Sequence, residues 1–168
     1  SSEQKEKQHN YHLHIAIAPT KNMDRFEWFL EKATEIGIDE ITPIICSRSE
    51  RKVIKTERCN RILLSAMKQS LKFHLPKLNE AISLNDFIKQ DFEGTKYIAH
   101  CEEGNKTELK EKKKEKRTLI LIGPEGDFSP TEIEMALQNQ FKAVSLGTSR
   151  MRTETAGIIA AHTINLKD

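Results

Sequence analysis

The densest set of polar side chains beside a helix start is "SRMRTETAG", residues 149–157. Arg150 and Arg152 flank Met151, and Thr153 and Thr155 bracket Glu154. Free main-chain N–H groups at a helix N-terminus, joined by hydroxyls, can hold a carboxylate or a phosphate. A guanidinium fixed there can stabilise negative charge that develops on a reacting group. The same residues also fit a plainer role, a helix cap flanked by surface arginines, and spacing alone leaves both open.

Three glycine-bearing stretches point to one edge of the fold: "AHCEEGN" (99–105), "GPEGD" (123–127) and "LGTSRMRTETAG" (146–157). Gly104, Gly123, Gly126 and Gly147 all lie in them. Glycine permits positive φ and lets a ligand approach the main chain, although a tight strand-to-helix turn uses it as well. Neither a G-x-G-x-x-G nor a G-x-x-x-x-G-K-[ST] occurs, which argues against a Rossmann dinucleotide site and a P-loop. His12 and His14 share one strand face and His100 adjoins Cys101, poor spacing for two ligands of one ion, so no metal site is expected. No Ser/His/Asp set is suggested either. Cys46, Cys59 and Cys101 are widely spaced and read as reduced thiols of a cytoplasmic protein.

The elements that must carry these loops are legible from periodicity. "YHLHIAIA" (11–18) alternates and then turns apolar, as a strand entering a core does. Phe26, Phe29, Leu30, Ala33 and Ile36 recur at helical spacing, with Asn22 or Asp24 as N-cap and Gly37 just past the end. "ITPIIC" (41–46) reads as a strand, and a helix over about 57–73 turns Ile62, Leu63, Ala66 and Ser70 inward before Pro76. "SLNDFIKQ" is a short helix with Ser83 and Asp86 at capping-box spacing. "KYIAHC" (96–101), "TLILIG" (118–123) and "AVSLG" (143–147) are strands. Ser129, Pro130 and Glu132 form a full helix-start signal, and a last helix covers about 154–166. Ala156, Gly157, Ala160 and Ala161 make a small-residue stripe on it, suited to close packing against the sheet or a second subunit. Strands that alternate with helices and run continuously apolar predict an α/β fold: a mostly parallel sheet with helices on both faces.

The 168 residues are 37% hydrophobic and 31% charged, with no apolar run long enough to span a bilayer. Net charge is +2. Residues 106–117, "KTELKEKKKEKR", hold seven Lys/Arg against three Glu, so the remainder is weakly acidic. A domain-wide basic footprint is therefore absent, and the basic stretch reads as a solvated loop, a frayed helix or a phosphate-contacting arm.

"LIGPEGDFSPTEIEMA" followed by "SLGTSRMRTETAG" resembles the paired C-terminal motifs of the SPOUT-superfamily methyltransferases, in particular the ribosomal small-subunit RNA uracil-N3 methyltransferase family. "PTKNMDRFEWFLEKATEIGIDEITPIICSRSERK" resembles that family's opening block, and "AMKQSLKFHLP" its next helix, so the likeness covers about residues 11–168. The resemblance implies a deep C-terminal trefoil knot, an exception to unknotted topology. It further implies S-adenosylmethionine held bent in the knot, mainly by main chain. The cofactor residues so implied are Ala99, His100, Gly123, Pro124, Glu125, Gly126, Leu146, Gly147, Met151, Arg152 and Thr153. The implied substrate is a uridine of 16S rRNA in the small ribosomal subunit, with Arg152 and Glu154 catalytic and Lys21, Arg25, Arg48 and Arg51 against RNA. A cytoplasmic homodimer joined through the knot region is implied too. The family also has an N-terminal PUA-like β-barrel domain, which makes residues 1–10 a linker remnant or an added terminus. Two departures stand out. Asp127 replaces the last glycine of the usual "GPEGG", and "RMRTETA" replaces "ILRTETA".

Overall fold

The computed structural model describes residues 9–168. Most of the stretch read as a linker or added terminus therefore lies outside the described residues. Five main strands and their helices follow the expected order. β1 (His12–Ile17) leads through Asn22, whose side chain accepts from the Asp24 N–H at 2.9 Å, into α1 (Met23–Ile36). Gly37 ends that helix at φ 120°, a conformation that disfavours a side chain. β2 (Glu40–Ile45), α2 (Thr56–Gln69) and two short strands, β3 (Lys77–Leu78) and β4 (Ile82–Ser83), come next. Ser83 caps α3 (Leu84–Ile88) by accepting from the Asp86 N–H. The second half is β5 (Thr95–Ala99), β6 (Thr107–Glu108), β7 (Arg117–Ile122), α4 (Pro130–Gln138), β8 (Lys142–Ser145) and α5 (Thr153–Asn165).

Every strand pair is parallel, and the sheet runs β3-β2-β1-β7-β5-β8-β6, with β4 beside β2. Because side chains alternate across a strand, each buried strand feeds two cores. Leu13, Ile15, Ile17, Ile120 and Ile122 face α1, α2 and α5, meeting Phe26, Phe29, Leu63 and Ala160. Ala16, Ala18, Leu119 and Leu121 face α3 and α4, meeting Phe87, Ile133 and Ala136. The result is a sheet between two helical layers.

Parallel strands bring their following loops to one edge. Residues 18–22, 46–51, 100–106, 123–129 and 146–152 therefore share the carboxyl edge of the sheet. β8 lies beyond β5, yet α5 packs on α1 and β1 at the other side of β7. The segment between them must cross back over the ends of β5 and β7. That crossing is consistent with a SPOUT-type knot. The small-residue stripe on α5 works within the domain: Ala160 and Ala161 are fully buried, and Gly157 lies against Phe29 and Ile17. Ser70, expected to point inward, is instead the half-buried last cap of α2, its hydroxyl donating to the Ala66 carbonyl.

The basic stretch is more structured than its charge suggests. Thr107–Glu108 pair with β8 as the sheet's last strand, a single 3-10 turn follows, and Leu109 is almost fully buried. One apolar side chain anchors a run of solvated lysines.

Candidate active site at the carboxyl edge

A cavity of about 360 Å³ opens where the loops after β5, β7 and β8 meet the start of α5. Its wall includes Ala99 and His100 from the first loop, Gly123, Pro124 and Glu125 from the second, and Leu146, Gly147, Met151 and Thr153 from the third. Two residues placed with them on sequence grounds lie outside this lining. The Gly126 carbonyl accepts from Arg48 Nη1 at 2.8 Å, so Gly126 faces the loop after β2. Arg152 is exposed at the N-cap of α5, where its carbonyl accepts from the Ala156 N–H and its side chain makes no capping bond.

The corner Gly123–Asp127 is rigid for reasons that its sequence announces. Ser129 accepts from the Glu132 N–H while Glu132 reaches back to the Ser129 N–H at 2.8 Å, with Pro130 at the first helical position. Glu132 also accepts from the Ser47 N–H with its second oxygen, which ties the loop after β2 to the same cap. The Thr153 hydroxyl donates to the Gly123 carbonyl.

Asp127 stands at φ 66°, in the left-handed region that favours glycine. Asp tolerates that region better than most residues because its carboxylate can bond nearby main chain. Here one oxygen accepts from the Phe128 N–H at 2.8 Å and the other from the Cys101 N–H at 2.9 Å. Asp127 therefore lines the cavity and joins two of its loops. The φ angle shows why a glycine suits this position. Lys106, first residue of the basic stretch, also lines the cavity and donates to the His100 and Glu102 carbonyls at 3.0 and 2.6 Å. Neither role was predicted, and in Lys106 the surrounding charge run hid the one lysine that bonds main chain across the loop.

The basic side chains expected to face RNA are partly engaged. Arg51 Nε donates to the Lys21 carbonyl at 3.0 Å, the Lys21 N–H donates to Glu125 Oε2 at 2.9 Å, and Lys21 Nζ lies 3.5 Å from Glu50. Arg25 Nε lies 3.8 Å from Glu154 Oε2. Glu154 is 8% exposed, and the arginine that meets it is Arg25, not Arg152. Lys21, Arg48 and Arg51 thus brace the corner from the neighbouring loops, and Arg25 meets the start of α5 from α1.

His100 is buried, and burial, helped by the nearby Lys106 charge, pulls its pKa below the ordinary histidine value. It is therefore neutral at neutral pH, and its Nδ1 has no hydrogen-bond partner. Among the described residues, no group of three or more His, Cys, Asp or Glu is placed to hold a metal ion. No helix among them is long and apolar enough to cross a membrane.

Comparisons with known proteins agree with this geometry. The family model for the RNA methyltransferase domain matches residues 7–165. The ribosomal RNA small subunit methyltransferase E of Mesomycoplasma hyopneumoniae is 32% identical over 151 residues, which cover 87% of this chain and 65% of that protein. The chain thus spans just under two thirds of that relative's length. A probable rRNA methyltransferase from Porphyromonas gingivalis superposes with a TM-score of 0.87 at 45% identity, covering 97% of this chain and 71% of that one. A small-subunit methyltransferase E from Neisseria gonorrhoeae, solved with S-adenosylmethionine bound, gives 0.84 at 26% identity over 94% of this chain and 67% of that one. A parallel sheet whose last segment doubles back over a cleft at its carboxyl edge, matched by these proteins over nearly its whole length, places the chain in the RNA methyltransferase domain family, among relatives of the small-subunit methyltransferase E type.

Proposed function

We propose that this chain is the catalytic domain of an S-adenosylmethionine-dependent methyltransferase that acts on N3 of a uridine in 16S rRNA. The observation that carries the reading is the cleft: three glycine-bearing loops at the carboxyl edge close around it. Ligands in open α/β sheets take that place. The residues present fit the cofactor. Gly147, at φ 149°, has nothing within 4 Å of where a side chain would begin, and His100 Nδ1 is a buried polar atom left unpaired in the wall. Ala99, His100, Gly123, Pro124, Glu125, Leu146, Gly147, Met151 and Thr153 would hold the molecule, while Gly126 shapes the corner from behind.

When bound, S-adenosylmethionine supplies an electrophilic methyl group on a sulfonium. The protein's part is alignment and charge. In-line displacement gains most from holding donor and acceptor in register, and the braced corner provides a fixed wall for that. Uridine N3 carries a weakly acidic proton, so negative charge develops over N3 and the flanking carbonyl oxygens as that proton leaves, and bonding to the methyl group would then quench it. Arg152 sits between the cavity residues Met151 and Thr153 with its side chain exposed, a place from which it meets an acceptor entering from solvent. Glu154, paired with Arg25, receives the proton. Lys21, Arg25, Arg48 and Arg51, which bond the corner and the start of α5, would meet the RNA. The same reading makes the protein a cytoplasmic homodimer joined near the knot.

The test is mass-spectrometric mapping of methyl groups on 16S rRNA and on assembled small subunits, with Arg152→Ala as control. The variant is expected to lose about a hundredfold or more of the rate while still binding S-adenosylmethionine. Activity within a few-fold of wild type would remove Arg152 from the mechanism. Failure of the wild-type protein to bind S-adenosylmethionine would favour a non-catalytic RNA-binding module of the same fold, and a methyl group on tRNA ribose would replace the substrate.

A further inference from the structure

We propose that Asp127 and Lys106 are paired positioning residues that pin the loop after β5 as one wall of the cofactor cleft. The inference rests on the cofactor reading above but concerns residues which that reading does not use.

Residues 101–105 are all exposed, and Gly104 has nothing within 4 Å of where a side chain would begin. No apolar packing holds this stretch. Among the described residues it is restrained by three hydrogen bonds. The Cys101 N–H donates to Asp127 Oδ2 at 2.9 Å, and Lys106 Nζ donates to the His100 carbonyl at 3.0 Å and the Glu102 carbonyl at 2.6 Å. A carboxylate thus takes the donor of the peptide run 100–102, and an ammonium takes the acceptors on either side of it. Charge-assisted bonds of this kind are short and roughly twice as strong as neutral ones. Both charged side chains line the cavity, and their joint effect is to fix His100 and Cys101 in its wall beyond the sheet-paired Ala99.

Asp127 does this from φ 66°, where glycine would be the easier residue. Its second oxygen is occupied by its neighbour's N–H, and its own N–H donates to the Pro124 carbonyl at 2.8 Å, so the carboxylate is held toward Cys101. A backbone better suited to glycine is kept because the side chain reaches the other loop. Lys106 begins β6's approach, so the clamp also sets where the last strand of the sheet starts.

The experiment compares Asp127→Gly, Asp127→Asn, Lys106→Met and Lys106→Arg with wild type by calorimetric titration with S-adenosylmethionine and by amide hydrogen exchange in the free protein. Asp127→Gly and Lys106→Met are expected to weaken binding about tenfold, as the first removes the bond to the Cys101 N–H and the second those to the His100 and Glu102 carbonyls. Exchange across residues 100–105 is expected to speed up about as much, with β7 unchanged. Lys106→Arg, which keeps the donor charge, should recover most of the affinity, and Asp127→Asn, with one acceptor oxygen, should fall between. Affinity and loop exchange within twofold of wild type in both Asp127→Gly and Lys106→Met would overturn the clamp. Failure of wild type itself to bind would sink the cofactor reading instead, and the exchange data still decide whether the clamp exists.

Discussion

The Thr153 hydroxyl donates a 2.9 Å hydrogen bond to the Gly123 carbonyl across a separation of 30 residues, and both residues are buried. It joins the first residue of α5 to the end of β7, where the returning segment crosses the sheet edge. Valine in place of Thr153 keeps the shape but removes the donor and leaves a buried carbonyl unmet. Thr153→Val is expected to cost about 1–3 kcal/mol, and Thr153→Ser well under that, by urea denaturation. S-adenosylmethionine affinity should fall with the valine variant alone. A valine variant as stable as wild type would show that the bond does not secure the crossing.

Packing of α5 on α1 leaves no room for one more carbon. A methyl group on Gly157 would lie 2.5 Å from Phe29 Cε1 and 3.0 Å from Ile17 Cδ1. The neighbours are a fully buried ring and the sheet beneath it, neither free to retreat. Gly157→Ala is expected to destabilise by about 1–3 kcal/mol through overpacking, despite the better helix propensity of alanine. In a Phe29→Leu background the same change should cost measurably less, since the two sites share one space. Additive losses in the double variant would place the clash elsewhere.

Long elements were readable because each carries its own periodicity. β1 alternates and then turns apolar, β7 is an apolar run, α1 repeats Phe26, Phe29, Leu30 and Ala33, and α4 announces itself through Ser129, Pro130 and Glu132. The two-residue strands β3, β4 and β6 have no period to detect. They exist because neighbouring strands offer unpaired main chain. In β6 a lysine-rich surface masked the single anchor, Leu109. Glycine positions located the cleft's loops, but direction was beyond them: Gly126 faces Arg48 while Gly123 faces the cavity. Likewise, nothing in the spacing of Arg152 and Glu154 tells that the carboxylate meets Arg25, more than a hundred positions earlier, because only the sheet order brings α1 and α5 together.

His14 supplies a pH dependence of stability. It is buried beside Phe87, its Nε2 lies 2.7 Å from the Thr42 hydroxyl, and Asn79 donates to that same hydroxyl oxygen. Burial, with smaller pushes from His12, Lys77 and Arg117 against the pull of Glu40, lowers its pKa from 6.5 to about 4. The unfolded chain binds the proton near 6.5 and the folded chain only near 4. Stability from this group is therefore complete above about pH 6.5 and is lost progressively as pH falls toward 4. In His14→Leu, chemical denaturation across that window should show a slope smaller by up to about one proton. An unchanged slope would mean that His14 is already protonated in the folded protein at mildly acidic pH.

The three thiols should divide sharply in reactivity. Cys46 is buried, and its pKa is pushed up to about 12 by that burial, reinforced by the Glu132 charge. Cys59 is fully buried on the inner face of α2, and burial raises its pKa as well. Cys101 is exposed and lines the cleft, with its N–H held by Asp127. Because the thiolate is the nucleophile, the folded protein should react with a thiol reagent quickly at Cys101 and slowly at the two others. S-adenosylhomocysteine, which carries the cofactor's contacts without the transferable methyl, should slow the fast phase if it occupies the wall that Cys101 shares. Cys101→Ser should remove the fast phase altogether. A fast phase that persists in Cys101→Ser would show that a buried thiol opens readily. One that ignores saturating ligand in wild type would place the ligand away from the loop after β5.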